Sequence, residues 1–221
     1  MLCFVGWGMC IPNLNKVSYH HFPDHAVFLT FDDGPAPSTK TVLDTLKKEG
    51  IQALFFVVGE MIHSQEKKNI LSEIVKEGHM LGNHGYRHVN MTKLSSKEQI
   101  EALEKTNDCI AFVQSKVLYY RPPGGSYNAI LRRSVNGLGM RVMLWNVDPQ
   151  DWKHPRPDEK TLVTRVLEGL KKQRNRGIIL LHDIHPNTAK HLSALIQALR
   201  KEGYQFLKPD QVENYQNPCS K

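Results

Sequence analysis

Phe28-Leu29-Thr30-Phe31-Asp32-Asp33-Gly34-Pro35 leads a mostly apolar run straight into two adjacent carboxylates and then into a Gly-Pro break. A short apolar run closed by a turn signal reads as a buried strand, and Gly-Pro makes the chain change direction where that strand ends. Neighbouring side chains on a strand point to opposite faces. At the strand's end the twist relaxes, so Asp32 and Asp33 can reach different parts of one site. Two adjacent carboxylates repel, and they are tolerable together when one meets a cation and the other a base or an Arg. Asp-Asp-Gly-Pro is also sound turn chemistry with no further meaning, so this stretch alone leaves both readings open.

The same strand-then-turn pattern recurs along the chain. Strands are expected over 26–31, 53–58, 79–82, 118–121, 140–147, 178–182 and 204–207. Helices fall between them. Ser38 caps the first and Gly50 ends it; Ile70, Leu71, Ile74 and Val75 give the second its apolar face, closed by Gly78. Ser95 with Glu98 forms a capping box, and its helix runs to about 115. Asn128 opens the next, Asp158 opens one through Leu162, Val166 and Leu170, and the last spans 187–201. Short apolar strands alternating with amphipathic helices argue for an α/β fold with a parallel sheet covered on its outside. With this many βα units a closed or nearly closed barrel is the natural architecture. The expected division is an N-terminal segment over 1–25, a single domain over 26–212 and a tail over 213–221.

A chain of 221 residues can bury one sizeable core. Hydrophobic content of 40% and charged content of 23% suit an ordinary soluble domain. The net charge of +7 favours an anionic neighbour such as nucleic acid, a membrane surface or an acidic cell-wall polymer. The basic residues are scattered, however, as in Lys47-Lys48, Lys67-Lys68, Arg132-Arg133 and Lys171-Lys172, where helix surfaces are expected. No nucleic-acid-binding motif accompanies them. The cysteines are Cys3, Cys10, Cys109 and Cys219, with no CxxC pair, which argues against a thiolate zinc site. Cys109 reads as a packed thiol; Cys10 and Cys219 could pair, though nothing requires it. Leu2 to Ile11 is uncharged, mostly apolar and too short to span a bilayer. It reads either as the end of a signal peptide or lipid-attachment box at Cys10, or as a segment packed on the domain.

Ionisable residues gather at the expected C-terminal ends of the strands, which in a parallel barrel meet on one face. Asp32 and Asp33 follow the first strand, His84 and His88 the third, Arg121 the fourth, Asp148 and Asp151-Trp152 the fifth, and His182-Asp183 the sixth. One such residue is usually a satisfied structural group. Five strand ends bearing them together are harder to dismiss. The spacing of His84 and His88 lets both imidazoles reach one metal, and a carboxylate added to them makes a two-His, one-carboxylate set with positions left open.

On these motifs the chain resembles the polysaccharide deacetylases, the NodB-type domain of carbohydrate esterase family four. Thr30-Phe31-Asp32-Asp33-Gly34, His84-Gly85-Tyr86-Arg87-His88, Arg121-Pro122-Pro123-Gly124-Gly125, Asp148-Pro149-Gln150-Asp151-Trp152 and Leu180-Leu181-His182 match that family's motifs in order. The resemblance implies a distorted (β/α)7 barrel and a metal-dependent N-deacetylase acting on an N-acetylated glycan. It implies that Asp33, His84 and His88 hold a divalent metal, usually Zn2+ in this family. It further implies Asp32 as general base, His182 as general acid, Arg121 holding the base, and Asp148 orienting His182 or Arg121. Trp152 and Leu180 would line the acetyl pocket, and the backbone at Gly124 and Gly125 would face the substrate. Two residues depart from the family pattern: Gly85 replaces a Ser or Thr that braces the histidine loop, and Gly124 replaces a Tyr. An O-acetyl esterase of the acetylxylan type and a silent carbohydrate-binding relative stay open as alternatives. Peptidoglycan, chitin-like oligosaccharides and poly-N-acetylglucosamine all remain possible substrates, and an extracytoplasmic location is the expectation.

Overall fold

The structure, a computed structural model, describes residues 16–216. Cys3, Cys10, Cys219 and the Leu2 to Ile11 run therefore lie outside the described residues. Parallel strands alternate with helices: β1 (Ala26–Asp32), α1 (Pro37–Glu49), β2 (Leu54–Val57), α2 (Gln65–Lys76), β3 (Met80–Asn83), α3 (Ser96–Ile110), β4 (Tyr119–Tyr120), α4 (Ala129–Gly137), β5 (Arg141–Val142), α5 (Glu159–Lys172), β6 (Gly177–His182), α6 (Pro186–Lys201), β7 (Gln205–Phe206) and α7 (Pro209–Gln216). The sheet order is β5-β4-β3-β2-β1-β6, with β7 added to β1. This is the expected (β/α)7 arrangement, as a single curled domain.

β1 is the central strand. It pairs with β6 from Val27 opposite Gly177 to Asp32 opposite His182. It pairs with β2 over Thr30, Phe31 and Asp32. Strand alternation then divides the core in two. Val27, Leu29 and Phe31 face outward and pack with Phe55, Leu81, Ile179 and Leu181 under the helices. Phe28 faces inward with Leu54, Phe56, Tyr119, Met143 and Ile178. Thr30 and Asp32 continue that inner face, so the polar site sits directly above the inner apolar plug.

The expected strand over 140–147 is cut to Arg141–Val142. The reason is a long-range competitor for its backbone. Arg121 Nε donates to the Met143 carbonyl at 3.1 Å and Nη2 to the Leu144 carbonyl at 3.4 Å. The sheet's two ends are joined instead by a single bridge between Val147 and Ile179, beside an Asn146 side chain that accepts from Ile178 N at 2.7 Å. The barrel is thus closed by side chains and one bridge, not by a ladder.

The lower end of the plug is sealed from both ends of the described chain. Val17, Phe22, Leu207 and Val212 join the inner cluster. Val17 N donates to Val142 O at 2.9 Å. Ser18 N donates to Gln216 Oε1 at 2.8 Å, and Gln216 Nε2 returns a bond to Ser18 O at 2.9 Å. The expected domain limits at 26 and 212 therefore both fall inside packed structure. Among the described residues no helix is long and apolar enough to cross a membrane.

Candidate active site

Asp33 leaves β1 with φ 77°, and the Gly34–Pro35 peptide that follows is cis. The left-handed backbone at Asp33 turns its side chain toward the same cavity as Asp32, which strand alternation alone would forbid. Every side of this turn is held. Asp33 N donates to Phe56 O and Val58 N to Gly34 O, both at 3.1 Å. Lys67 Nζ donates to Pro35 O at 2.8 Å. Below it, Asp183 is buried against Gly34, where a Cβ would lie 2.2 Å from its Oδ2. Thr39 Oγ1 donates to that Oδ2, and Ser38 Oγ donates to Asp183 O at 2.6 Å. Ser38 therefore does not cap α1, as the sequence suggested: Ala36 is the N-cap, and its N–H is taken by Thr39 Oγ1 at 2.9 Å. Burial, with Asp33 nearby, pushes the Asp183 carboxyl up to about 7.

Arg121 is fully buried and organises the base of the site. Its Nη1 donates to Asp32 Oδ1 at 2.7 Å and to Thr30 Oγ1 at 2.8 Å. Its guanidinium lies 4.2 Å over the Phe56 ring. A desolvated guanidinium needs this full set of acceptors and a paired carboxylate to be tolerated.

His84 donates from Nδ1 to Arg121 O at 2.7 Å, which leaves Nε2 as a lone-pair donor atom. That Nε2 is 3.3 Å from Asp33 Oδ1 and 3.7 Å from Asp32 Oδ2. His88, on the rim, brings its Nε2 within 3.5 Å of the same Asp33 Oδ1. Three ligand atoms from Asp33, His84 and His88 thus lie within 4.8 Å of one another. Asp33 Oδ1 is buried with no hydrogen-bond partner. A carboxylate oxygen facing an imidazole lone pair is an unfavourable pair unless a cation stands between them. The donor set therefore fits a divalent metal. Burial alone would raise the Asp33 carboxyl; positive charge facing it outweighs burial, and with His84, His182 and His88 carrying their protons it is lowered to about 2.

His182 stands on the other side, with Nε2 4.0 Å from Asp33 Oδ2. Its Nδ1 bonds Asp151 Oδ1 at 2.8 Å. The other Asp151 oxygen accepts from His182 N at 2.8 Å and Thr188 Oγ1 at 2.7 Å. Burial would lower the His182 imidazole, yet the bond and charge of Asp151, with Asp32 and Asp33, raise it to about 9. Asp148, the residue expected to orient His182 or Arg121, does neither. It is exposed, and its Oδ1 accepts from Gln150 N at 2.7 Å, a local turn bond that points it away. Asp151 holds His182, while Arg121 is held by Asp32 and main-chain carbonyls.

Leu180 is buried on the inner face, in register with Thr30. Trp152 is 46% exposed on the rim. Trp145 is the aromatic that approaches the floor, 5.6 Å from the Arg121 guanidinium. The glycine departures have clear backbone consequences. Gly85 has φ 82°, its N–H is held by Asn83 Oδ1 at 2.8 Å, and its carbonyl accepts from Gly59 N at 3.0 Å. The histidine loop is braced without a hydroxyl. Gly124 has φ 65° and is exposed, and among the described residues no acceptor takes its N–H. Gly124→Tyr is expected to destabilise the fold by about 1–2 kcal/mol through the left-handed backbone, read as a lower midpoint in denaturant; an unchanged midpoint would contradict this.

The sequence family described as polysaccharide deacetylase matches residues 20–143. The chain is 38% identical over 189 residues to the peptidoglycan-N-acetylmuramic acid deacetylase PdaC of Bacillus subtilis, covering 85% of this chain and 38% of that protein's length. It is 30% identical over 226 residues to a peptidoglycan-N-acetylglucosamine deacetylase of Bacillus cereus, covering 97% of this chain and 95% of the other. Among solved structures it is similar to BA3943 of Bacillus anthracis, described as a pseudoenzyme of carbohydrate esterase family four. That likeness has a TM-score of 0.78 at 28% identity and covers 87% of this chain and 66% of the other.

Proposed function

This chain belongs to the polysaccharide deacetylase family, and from that premise we propose that it is a metal-dependent hydrolase removing N-acetyl groups from the amino-sugar units of a glycan. The observation that carries the reading is Asp33 Oδ1, buried and unpartnered between the Nε2 atoms of His84 and His88, with Asp32 and the His182–Asp151 pair beside it. The two-His, one-carboxylate set favours zinc. A divalent cation held there would polarise the acetamide carbonyl and acidify a water.

The remaining chemistry belongs to side chains of this chain. Asp32 Oδ2, its partner oxygen fixed on Arg121, takes the proton of the attacking water. The Gly124 N–H donates to the oxyanion. His182 Nε2–H protonates the departing amine, which is a poor leaving group otherwise. Asp151 keeps that imidazole oriented and charged. The relatives named for peptidoglycan also support an extracytoplasmic site of action.

The test is acetate release from peptidoglycan, chitooligosaccharides and acetylxylan. Chelation should abolish release and added zinc should restore it. His88→Ala should lower zinc affinity by at least about tenfold in a chelator competition, since it removes one ligand outright. Undiminished acetate release by a metal-free His88→Ala protein would sink the reading, and release from acetylxylan alone would move it to the esterase class.

A further inference from the structure

Asp183 directly follows His182, the last residue of β6, and is only 1% exposed. Its Oδ1 is buried with no hydrogen-bond partner. A carboxyl oxygen in that state is costly, and an apolar side chain of similar shape would avoid the cost. Stability alone therefore does not account for an acid at this position.

What the acid touches is the turn that presents Asp33. Gly34 comes next in that turn and is buried. Its φ is not positive, so its own backbone does not demand a glycine. What bars a side chain there is Asp183. An added Cβ would lie 2.2 Å from Oδ2, 2.7 Å from Oδ1 and 2.8 Å from Cγ, and these are its three nearest atoms. The carboxyl is in turn pinned to the first turn of α1. Thr39 Oγ1 donates to Oδ2 while accepting from Ala36 N at 2.9 Å. Ser38 Oγ donates to Asp183 O at 2.6 Å. Residues 34 to 39 thus fold around one acid, and that acid is bonded in sequence to His182, whose Nε2 is 4.0 Å from Asp33 Oδ2.

We infer that Asp183 is a positioning residue for the metal site. Its carboxyl is the stop against which the Asp33–Gly34 turn rests, and residue 34 is glycine so that the stop can close in. The inference rests on the metal reading of Asp33, His84 and His88 given above. Asp183 works by shape and by its bond to Thr39, and it acts through Asp33 rather than on the reacting atoms.

The experiment measures zinc affinity by chelator competition, well below the unfolding midpoint of each variant. Asp183→Ala should weaken binding by about 10- to 100-fold, the usual cost of removing a group that supports a metal ligand. Asp183→Asn keeps the shape and the acceptor for Thr39 Oγ1, so it should stay within about threefold. Gly34→Ala should weaken binding by itself, because the methyl group and the carboxyl cannot both fit. Gly34→Ala combined with Asp183→Ala should bind zinc more tightly than the two separate losses would give together, since the methyl enters the space the carboxyl leaves. Thr39→Val releases the carboxyl without altering the turn, and should weaken binding by about three- to tenfold, the scale of one hydrogen bond. It reads the same contact if Asp183→Ala does not fold. Leu170→Ala, a cavity in α5, should lower stability and leave zinc affinity unchanged. Additive losses in the double variant would overturn the inference, as would wild-type affinity in folded Asp183→Ala or in Thr39→Val. An Asp183→Asn loss as large as that of Asp183→Ala would overturn it too, by showing charge at work instead of shape. All of these leave the metal reading in place. A wild type that binds no zinc would overturn both.

Discussion

Asp151→Asn should lower kcat by about 10²- to 10⁴-fold, the scale seen when the carboxylate behind a catalytic imidazole is neutralised. Asp148→Asn should stay within about threefold. Only Asp151 touches His182, through Nδ1 at 2.8 Å, and the same carboxylate holds the His182 main chain and Thr188. The sign of the pH effect follows from which form works. His182 acts as an acid and must carry its proton. With Asp151 present the imidazole is raised to about 9, against the burial that would lower it. Removing the carboxylate leaves burial in command, so the alkaline limb of the kcat profile should move to lower pH. A cation on Asp33 would reduce the help from that acid without changing the direction. The measurement is kcat against pH for wild type and both variants. Equal losses in the two variants, or an alkaline limb that stays in place in Asp151→Asn, would refute the assignment.

Arg121→Met should cost about 3–5 kcal/mol of folding stability, the penalty for breaking a buried ion pair from one side. Asp32, Thr30 and the carbonyls of Met143 and Leu144 would all lose their donor inside the barrel. Against a total of about 5–15 kcal/mol for a typical domain, this is severe. For a chain of this size it corresponds to a fall in Tm of roughly 6–20 °C. The control is the double variant Arg121→Met with Asp32→Leu, which deletes both charges and should recover part of the loss. Asp32→Asn alone should be milder, because Arg121 keeps its other acceptors. Thermal unfolding of the set decides the matter: a single variant no less stable than the double would show that the pair is not what holds the inner face.

Local pattern carried the reading well where elements are buried on both faces. β1 and β6 are buried at every position, and their uninterrupted apolar runs announce this directly. It failed at β5, where the backbone is diverted by a guanidinium over twenty residues earlier, a competitor that no window along the sequence contains. α7 was missed because it is short and largely polar, with Val212 as its main buried apolar anchor. Within the site, Asp32, Asp33, His84, His88, Arg121 and His182 were legible as ionisable groups on strand ends. Asp148 and Asp151 were not separable, since both follow β5. The turn at Gln150, with φ 56°, decides which of them faces inward. The clamp of Asp183 on Thr39 joins residues 144 positions apart, and neither carries a local signature of it.

The paired bonds between Ser18 and Gln216 span 198 positions. They carry a consequence for the order of assembly during synthesis. A ribosome releases the chain from its N-terminal end, so β1 to β6 and their helices can gather while translation continues. The underside of the barrel cannot be sealed until α7 has emerged, because that helix follows β1 to β6 in the chain and supplies half of the lid. Closing so long a loop is also entropically slow to pay back. The nascent protein should therefore expose Phe28, Phe56 and Tyr119 from below until α7 docks, making the docking of that helix, rather than collapse of the sheet, the moment at which its apolar inner face is covered.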